Sequence, residues 1–273
     1  MNKKELEALV DHKLITQVSY VDDLLKNPNK LEEVTVEDMA AAGFLSHPSV
    51  NEVIINDGVI ALIPILTQQD FIDRMKTGKP FKLTNDIQLD NCIVIEEGDV
   101  CNVDLNGYNI TAGLFMENGG KVEEGNTDSY VFWNKGGELI VSGEGIVKSQ
   151  SAKYSITVWT QGGNTVLNGG SYINDGEGAD LIYASSNGSV IVNGGYYEAC
   201  LKQEGVAGTK NIRSALNVKD ADYKKGTAKI EVKGGSFLEF DPSNNVSEGA
   251  NTNFVVDGYT VMVNNNVYMV KEA

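Results

Sequence analysis

A chain of 273 residues and 29.5 kDa can form one large domain, or a repeat array with a smaller domain beside it, and its 29 glycines against 5 prolines favour tight turns over a disordered linker. A net charge of −16 and a pI near 4.5, with no dense Lys and Arg cluster to offset them, exclude nucleic-acid binding through the overall field. No apolar run reaches the length of a membrane span, and Met1–Glu5 leads into an amphipathic segment rather than an apolar signal core, so neither a membrane span nor a signal peptide is expected.

Residues 1–66 read as a small α+β head. Leu6, Leu9, Val10 and Leu14 fall at helical spacing, and Thr16 can cap a second helix carrying Val18, Val21, Leu24 and Leu25. Thr35-Val36-Glu37-Asp38 resembles a capping box for a third, short helix ending at Gly43. Val53–Ile55 and Val59–Leu62 flank Asn56-Asp57-Gly58, which predicts a β-hairpin. Residues 67–80 then form a capping helix: Thr67 opens it, Phe71, Ile72 and Met75 give it an apolar face, and Gly78 ends it. A stack of repeats exposes the core of its first coil, so a terminal cap is required there.

Residues 81–253 carry the strongest signal, a repeat anchored on Gly107, Gly143, Gly169, Gly194 and Gly234. Two positions before each anchor stand Leu105, Val141, Leu167, Val192 and Val232, and four before stand Val103, Leu139, Thr165, Val190 and Ile230. Three after stand Ile110, Ile146, Tyr172, Tyr197 and Phe237. Such columns are the inward faces of strands, and each anchor glycine marks a bend between two of them. An earlier strand precedes each anchor: Ile93–Ile95, Val131–Trp133, Ile156–Val158 and Leu181–Tyr183. Leu114–Asp128 and Leu201–Lys225 read as insertions looping out of the array. Residues 254–273, with Tyr259–Val263 and Val267–Val270, form a C-terminal β-cap. The fold class is therefore mainly β, a right-handed parallel β-helix solenoid with a small N-terminal α+β head and a helical cap.

Three positions before each anchor point outward, and the residues there are Asp104, Ile140, Val166, Ile191 and Glu231. The middle three form an exposed aliphatic strip with rungs about 4.8 Å apart. Such a strip marks an interface, or else a loop covers it. The interface reading makes Ile140, Val166 and Ile191 self-association residues, most simply in a homotrimer.

The chemistry is sparse. Both histidines, His12 and His47, lie in the head, so the array alone cannot build a Ser-His-Asp or Cys-His arrangement. Cys92, Cys101 and Cys200 fit no zinc spacing and read as small core or turn residues. Asp175, Glu177 and Asp180 cluster in a Gly-rich turn, and Glu198 with Glu239, or Asp220 with Asp222, are neighbours of the kind a glycosidase needs. Such turns could hold Ca²⁺ and such pairs could work on a glycoside, but in so acidic a chain solvated turns and chance proximity are the commoner origin of both. No catalytic residue, metal or cofactor is expected. Trp133, Trp159 and Tyr196 lie on or beside strands and are the candidate glycan contacts.

Leu83–Leu89 and Val103–Ile110, followed by the Gly-Gly coils to about Phe240, resemble pectin-lyase-like right-handed β-helices. The resemblance implies the fold; its lyases use Ca²⁺-binding acids with an Arg or Lys base, whereas Arg213 is the single arginine of these coils and faces no evident acid cluster. The layout of helical head, helix cap and compact acidic β-helix also resembles bacteriophage virion proteins such as head fibres and tailspikes. That resemblance implies a virion protein, trimeric and attached to other virion proteins through residues 1–66, and the missing catalytic set makes its expected role structural and non-enzymatic. The alternative it leaves is a tailspike-like protein that binds or depolymerises a host surface glycan at a site between subunits.

Overall fold

The computed structural model describes residues 53–56, 59–62, 67–116, 127–152, 154–175, 180–200 and 214–273. The three helices expected in the head, both histidines, Glu177 and Arg213 lie outside the described residues. The chain divides into two compact units, one comprising Met1–Pro64 with Lys82–Thr84, the other Ile65–Phe81 with Asn85–Ala273. In the first, β1 (Val53–Asn56) and β2 (Val59–Leu62) pair antiparallel as the expected hairpin. β3 (Phe81–Lys82) lies at the sequence boundary between the units.

The second unit opens with α1 (Gln68–Met75). Thr67 and Asp70 form a reciprocal capping box, each side chain meeting the other's backbone N–H. Phe71 and Met75 are buried, and the Phe71 ring meets Phe81 edge-on at 5.1 Å. The Gln68 side chain accepts from Asp90 N–H and Asn91 N–H and donates to the Cys92 carbonyl. At the other end, Lys76 Nζ binds Asp99 at 2.6 Å. Burial would raise the Asp99 carboxyl, but Lys76 and the Glu96 backbone N–H hold it below its ordinary value.

The remainder is mainly β, in two sheets of parallel strands. The first holds β5 (Ile93–Ile95), β6 (Val100–Asp104), β8 (Asp128–Ser142), β10 (Tyr154–Leu167), β12 (Ile182–Ala184), β13 (Ser189–Val192), β15 (Leu216–Val218) and β16 (Lys229–Val232). The second holds β4 (Ile87–Gln88), β7 (Ile110–Thr111), β9 (Ile146–Ser149), β11 (Ser171–Asn174), β14 (Tyr196–Glu198) and β17 (Gly235–Leu238). Each strand pairs with its counterpart one repeat on. β8 and β10 run through segments that are two separate strands in the other repeats, and their pairing slips between Thr160 and Asn164. Asn134, fully buried, shapes that bend: its Oδ1 accepts from Gly136 N–H and Gly137 N–H, and its Nδ2 donates to Asn164 O at 2.9 Å.

The interior is a set of columns. Ile93, Phe132, Val158, Ile182 and Leu216 lie in register, as do Val103, Val141, Leu167, Val192 and Val232. In the second sheet the column runs Ile87, Ile110, Val147, Tyr172, Tyr197, Phe237. Its aromatic rings stack at 5.1 Å (Tyr172 on Tyr197) and 4.7 Å (Tyr197 on Phe237).

Three expectations are corrected. The first repeat is offset by two residues: Val103, not Leu105, lies opposite Val141, and Leu105 packs instead at the bend beneath Gly145 and Gly170. Val147, not Ile146, joins the inner column, and Ile146 is exposed. The stretch Leu201–Lys225 is not all insertion, because it contains β15, a member of the first sheet, and α2 (Asp220–Lys225).

The anchor glycines also divide by role. Gly107 and Gly143 have positive φ, but at the later bends it is the following Gly170, Gly195 and Gly235 that do. Gly169, Gly194 and Gly234 are there for proximity: a Cβ on any of them would run into the backbone of the preceding repeat. The chain closes with β18 (Tyr259–Asn264) and β19 (Val267–Glu272), joined by Asn265 and Asn266, both with positive φ, and β19 pairs antiparallel with β17.

Candidate functional site

The outward face of β6, β8, β10, β13 and β16 carries the expected aliphatic strip. Val166 lies directly opposite Ile140 on one side and Ile191 on the other, and all three are half-buried. The ends of this row are Asn102 and Glu231. Asp104, expected at one end, lies opposite Ser142 in the neighbouring row because of the two-residue offset. The flanking rows are polar: on one side Asn193 donates to Asn168 at 2.9 Å, and on the other Lys229 bonds Glu231, the end of the aliphatic row, at 2.8 Å. The result is a ladder of three aliphatic side chains bordered by amides and one ion pair.

A second ladder, aromatic, lies on the outward side of the other strand segments. Val94, Trp133, Trp159, Tyr183 and Asn217 lie in register. The two indoles stack at 4.8 Å and 5° from parallel, with Tyr130 edge-on to both. Cys92, Ile156, Val94 and Phe115 complete the cluster. Each indole N–H is used within the chain: Trp133 Nε1 donates to Gln161 Oε1 at 3.1 Å and Trp159 Nε1 to Ser185 Oγ at 2.9 Å. Lys135 Nζ stands 4.1 Å from the centre of the Trp133 ring. Trp133 is only 8% exposed, so the accessible aromatic surface belongs to Trp159 and Tyr183. Tyr196, the third candidate glycan contact, is in the second sheet, opposite Ser171 and Ser236, with its hydroxyl 3.2 Å from Glu198. The three expected contacts are therefore not one site.

Beyond Tyr183 the aromatic ladder meets carboxylates. Asn217 Nδ2 donates to Asp180 at 2.7 Å, and Asp222 accepts from Ser186 N–H at 2.7 Å. Burial first, then Asp180, Glu248, Asp222 and Asp220, push the Tyr183 hydroxyl up to about 12. Glu248 is pushed up to about 7: burial and the charges of Asp220 and Asp180 raise it against the Val218 N–H and Lys224, which lower it. Its Oε1 accepts from Val218 N–H at 2.6 Å and its Oε2 is buried with no donor. This carboxyl is turned into the sheet edge, so it can hold a proton there but is not presented to a substrate on the surface. Sequence reasoning missed Glu248, which lies in an irregular stretch with no periodicity.

The other carboxylates singled out from the sequence are dispersed. Asp175 pairs with Lys148 at 2.7 Å, Glu198 receives the Tyr196 hydroxyl, and Asp220 and Asp222 stand on α2. Among the described residues no group of three or more His, Cys, Asp or Glu is arranged to hold a metal ion. A cleft of about 360 Å³ beside β18, lined by Ser243, Asn253, Asp257 and Tyr259 among others, includes none of the expected site residues. No helix among the described residues is long and apolar enough to cross a membrane. No family model, curated protein or solved structure matches the chain.

Proposed function

We propose that the chain is a right-handed parallel β-helix of the pectin-lyase-like kind, acting as a non-enzymatic structural protein of a virion fibre or spike, joined to other virion proteins through residues 1–66. The repeat-by-repeat parallel pairing, with α1 at one end and an antiparallel hairpin at the other, is what a capped solenoid requires. The observation that carries the functional reading is the half-buried ladder Ile140–Val166–Ile191. Its rungs run along the stack, so copies standing side by side can pack these faces together, and a three-fold bundle closes without leaving one unpaired. Deleting residues 1–66 is the test of attachment. Virions assembled with the truncated chain should lack it although the remainder folds; unimpaired incorporation would sink the attachment role.

A second reading, a tailspike-like protein that binds or cleaves a host glycan, is favoured by the partly exposed Trp159 and Tyr183 beside Asp180. Aromatic faces next to carboxylates suit sugar rings and their hydroxyls. Calorimetry against capsule oligosaccharides tests it. Binding that Trp159→Ala abolishes would support it, and absence of binding or of reducing-end release across the capsules of permissive hosts would remove it.

A further inference from the structure

The last repeat ends in three strands, β15, β16 and β17, each with an edge that no further repeat covers. Two of these edges are closed by backbone. Val232 N–H on β16 donates to Phe254 O at 2.8 Å and Val256 N–H returns to Val232 O at 3.2 Å, while β17 pairs with β19 from Gly235 to Leu238. The edge of β15 is closed differently, by two side chains of the loop 241–254: Ser247 Oγ donates to Leu216 O at 2.8 Å, and Glu248 Oε1 accepts from Val218 N–H at 2.6 Å.

The loop is organised in its own right. Asn245 Nδ2 reaches Asp241 O and Thr252 O, and Glu248 N–H donates to Thr252 Oγ1 at 3.1 Å. It can therefore leave β15 as a body while its own bonds persist.

We infer that Glu248 is a proton-operated clasp: as a neutral carboxyl it holds the loop closed on β15, and on giving its proton to water it releases that edge. The surroundings drive the release. Among the described residues, the charges of Asp220 on α2 and Asp180 before β12 act against a negative Glu248, which in turn acts on Tyr183 of β12, while the ammonium of Lys224, itself 3.9 Å from Asp220, favours it. Its Oε2 is buried without a donor, so a negative charge there has the one hydrogen bond from Val218 N–H and the charges of Asp180 and Asp220 against it. A carboxyl raised from 4.5 to about 7 in the folded protein stabilises the closed form below the ordinary value, and that contribution is lost as pH rises through about 7. Opening bares Leu216 C=O and Val218 N–H, an edge to which another strand can add.

Hydrogen exchange of the Val218 amide in the full chain, expressed as protection relative to the unstructured rate at each pH, tests the clasp directly. Lys219 N–H, bonded to Ala184 O at 2.9 Å inside the sheet, is the internal control. Val218 protection should fall about tenfold or more from slightly acidic to slightly alkaline pH, in line with a shift of more than one pKa unit, while Lys219 stays protected. Glu248→Gln, which keeps an acceptor and cannot ionise, should hold Val218 protected throughout. Wild-type protection that is flat across this range, or a Glu248→Gln variant that follows the wild type, overturns the inference. Loss of both amides together would report unfolding of the sheet rather than release of the loop, and would overturn it as well.

Discussion

The indole rings of Trp133 and Trp159 lie face to face, 4.8 Å apart between centroids, on strands that are consecutive in the sheet. Trp133 is 8% exposed, with Trp159 covering one face of its ring and Lys135 and Tyr130 also packed against it. Because these are the chain's 2 tryptophans, Trp159 variants leave Trp133 as a lone reporter. Trp159→Ala should raise acrylamide quenching of Trp133 and lower stability by about 3 kcal/mol, whereas Trp159→Phe should keep Trp133 shielded. Equal quenching in both variants would mean that something other than Trp159 covers the ring.

Tyr172 and Tyr197 stack in the interior, yet their hydroxyls differ. Tyr197 Oη donates to Gly194 O at 2.8 Å, while the Tyr172 hydroxyl is buried without a partner. Urea unfolding should therefore place Tyr197→Phe about 1 kcal/mol below the wild type and Tyr172→Phe at or slightly above it. Burial raises both hydroxyls well above the ordinary tyrosine value, so neither should ionise before the fold is lost in alkaline titration.

Gly78 and Gly163 share a φ of +68° but not a setting. A Cβ on Gly78 meets open space, and one on Gly163 would overlap the Gly137 carbonyl of the adjacent strand. Gly78→Ala should cost about 1 kcal/mol, the backbone penalty alone. Gly163→Ala should cost at least 1–2 kcal/mol more, because strands β8 and β10 must separate locally. Similar midpoints in thermal unfolding for the two variants would show that the strands yield easily at this bend.

The central repeats were legible because their alternation is plain: Val141, Leu167, Val192 and Val232 point inward, and Ile140, Val166 and Ile191 point outward as read from the chain. The first repeat was misread because Gly107 was matched to Gly143. Asn106 and Gly107 both have positive φ and make a longer bend, which carries Leu105 past the strand and under the next glycines. A glycine marks a bend without fixing how many residues the bend consumes. β15 was hidden for another reason: Leu216-Asn217-Val218 is too short to display a period and becomes a strand only by pairing with β12. Glu248 acquires its character entirely from the chain folding back onto that strand.

Native mass by light scattering is the most direct measurement on the aliphatic ladder. The wild type should have three times the mass of its 29.5 kDa chain, and Val166→Asp, which places a charge at the centre of the ladder, should fold and fall to a single chain. A wild-type mass of 29.5 kDa, or a folded Val166→Asp variant that keeps the assembled mass, would contradict assembly through Ile140, Val166 and Ile191.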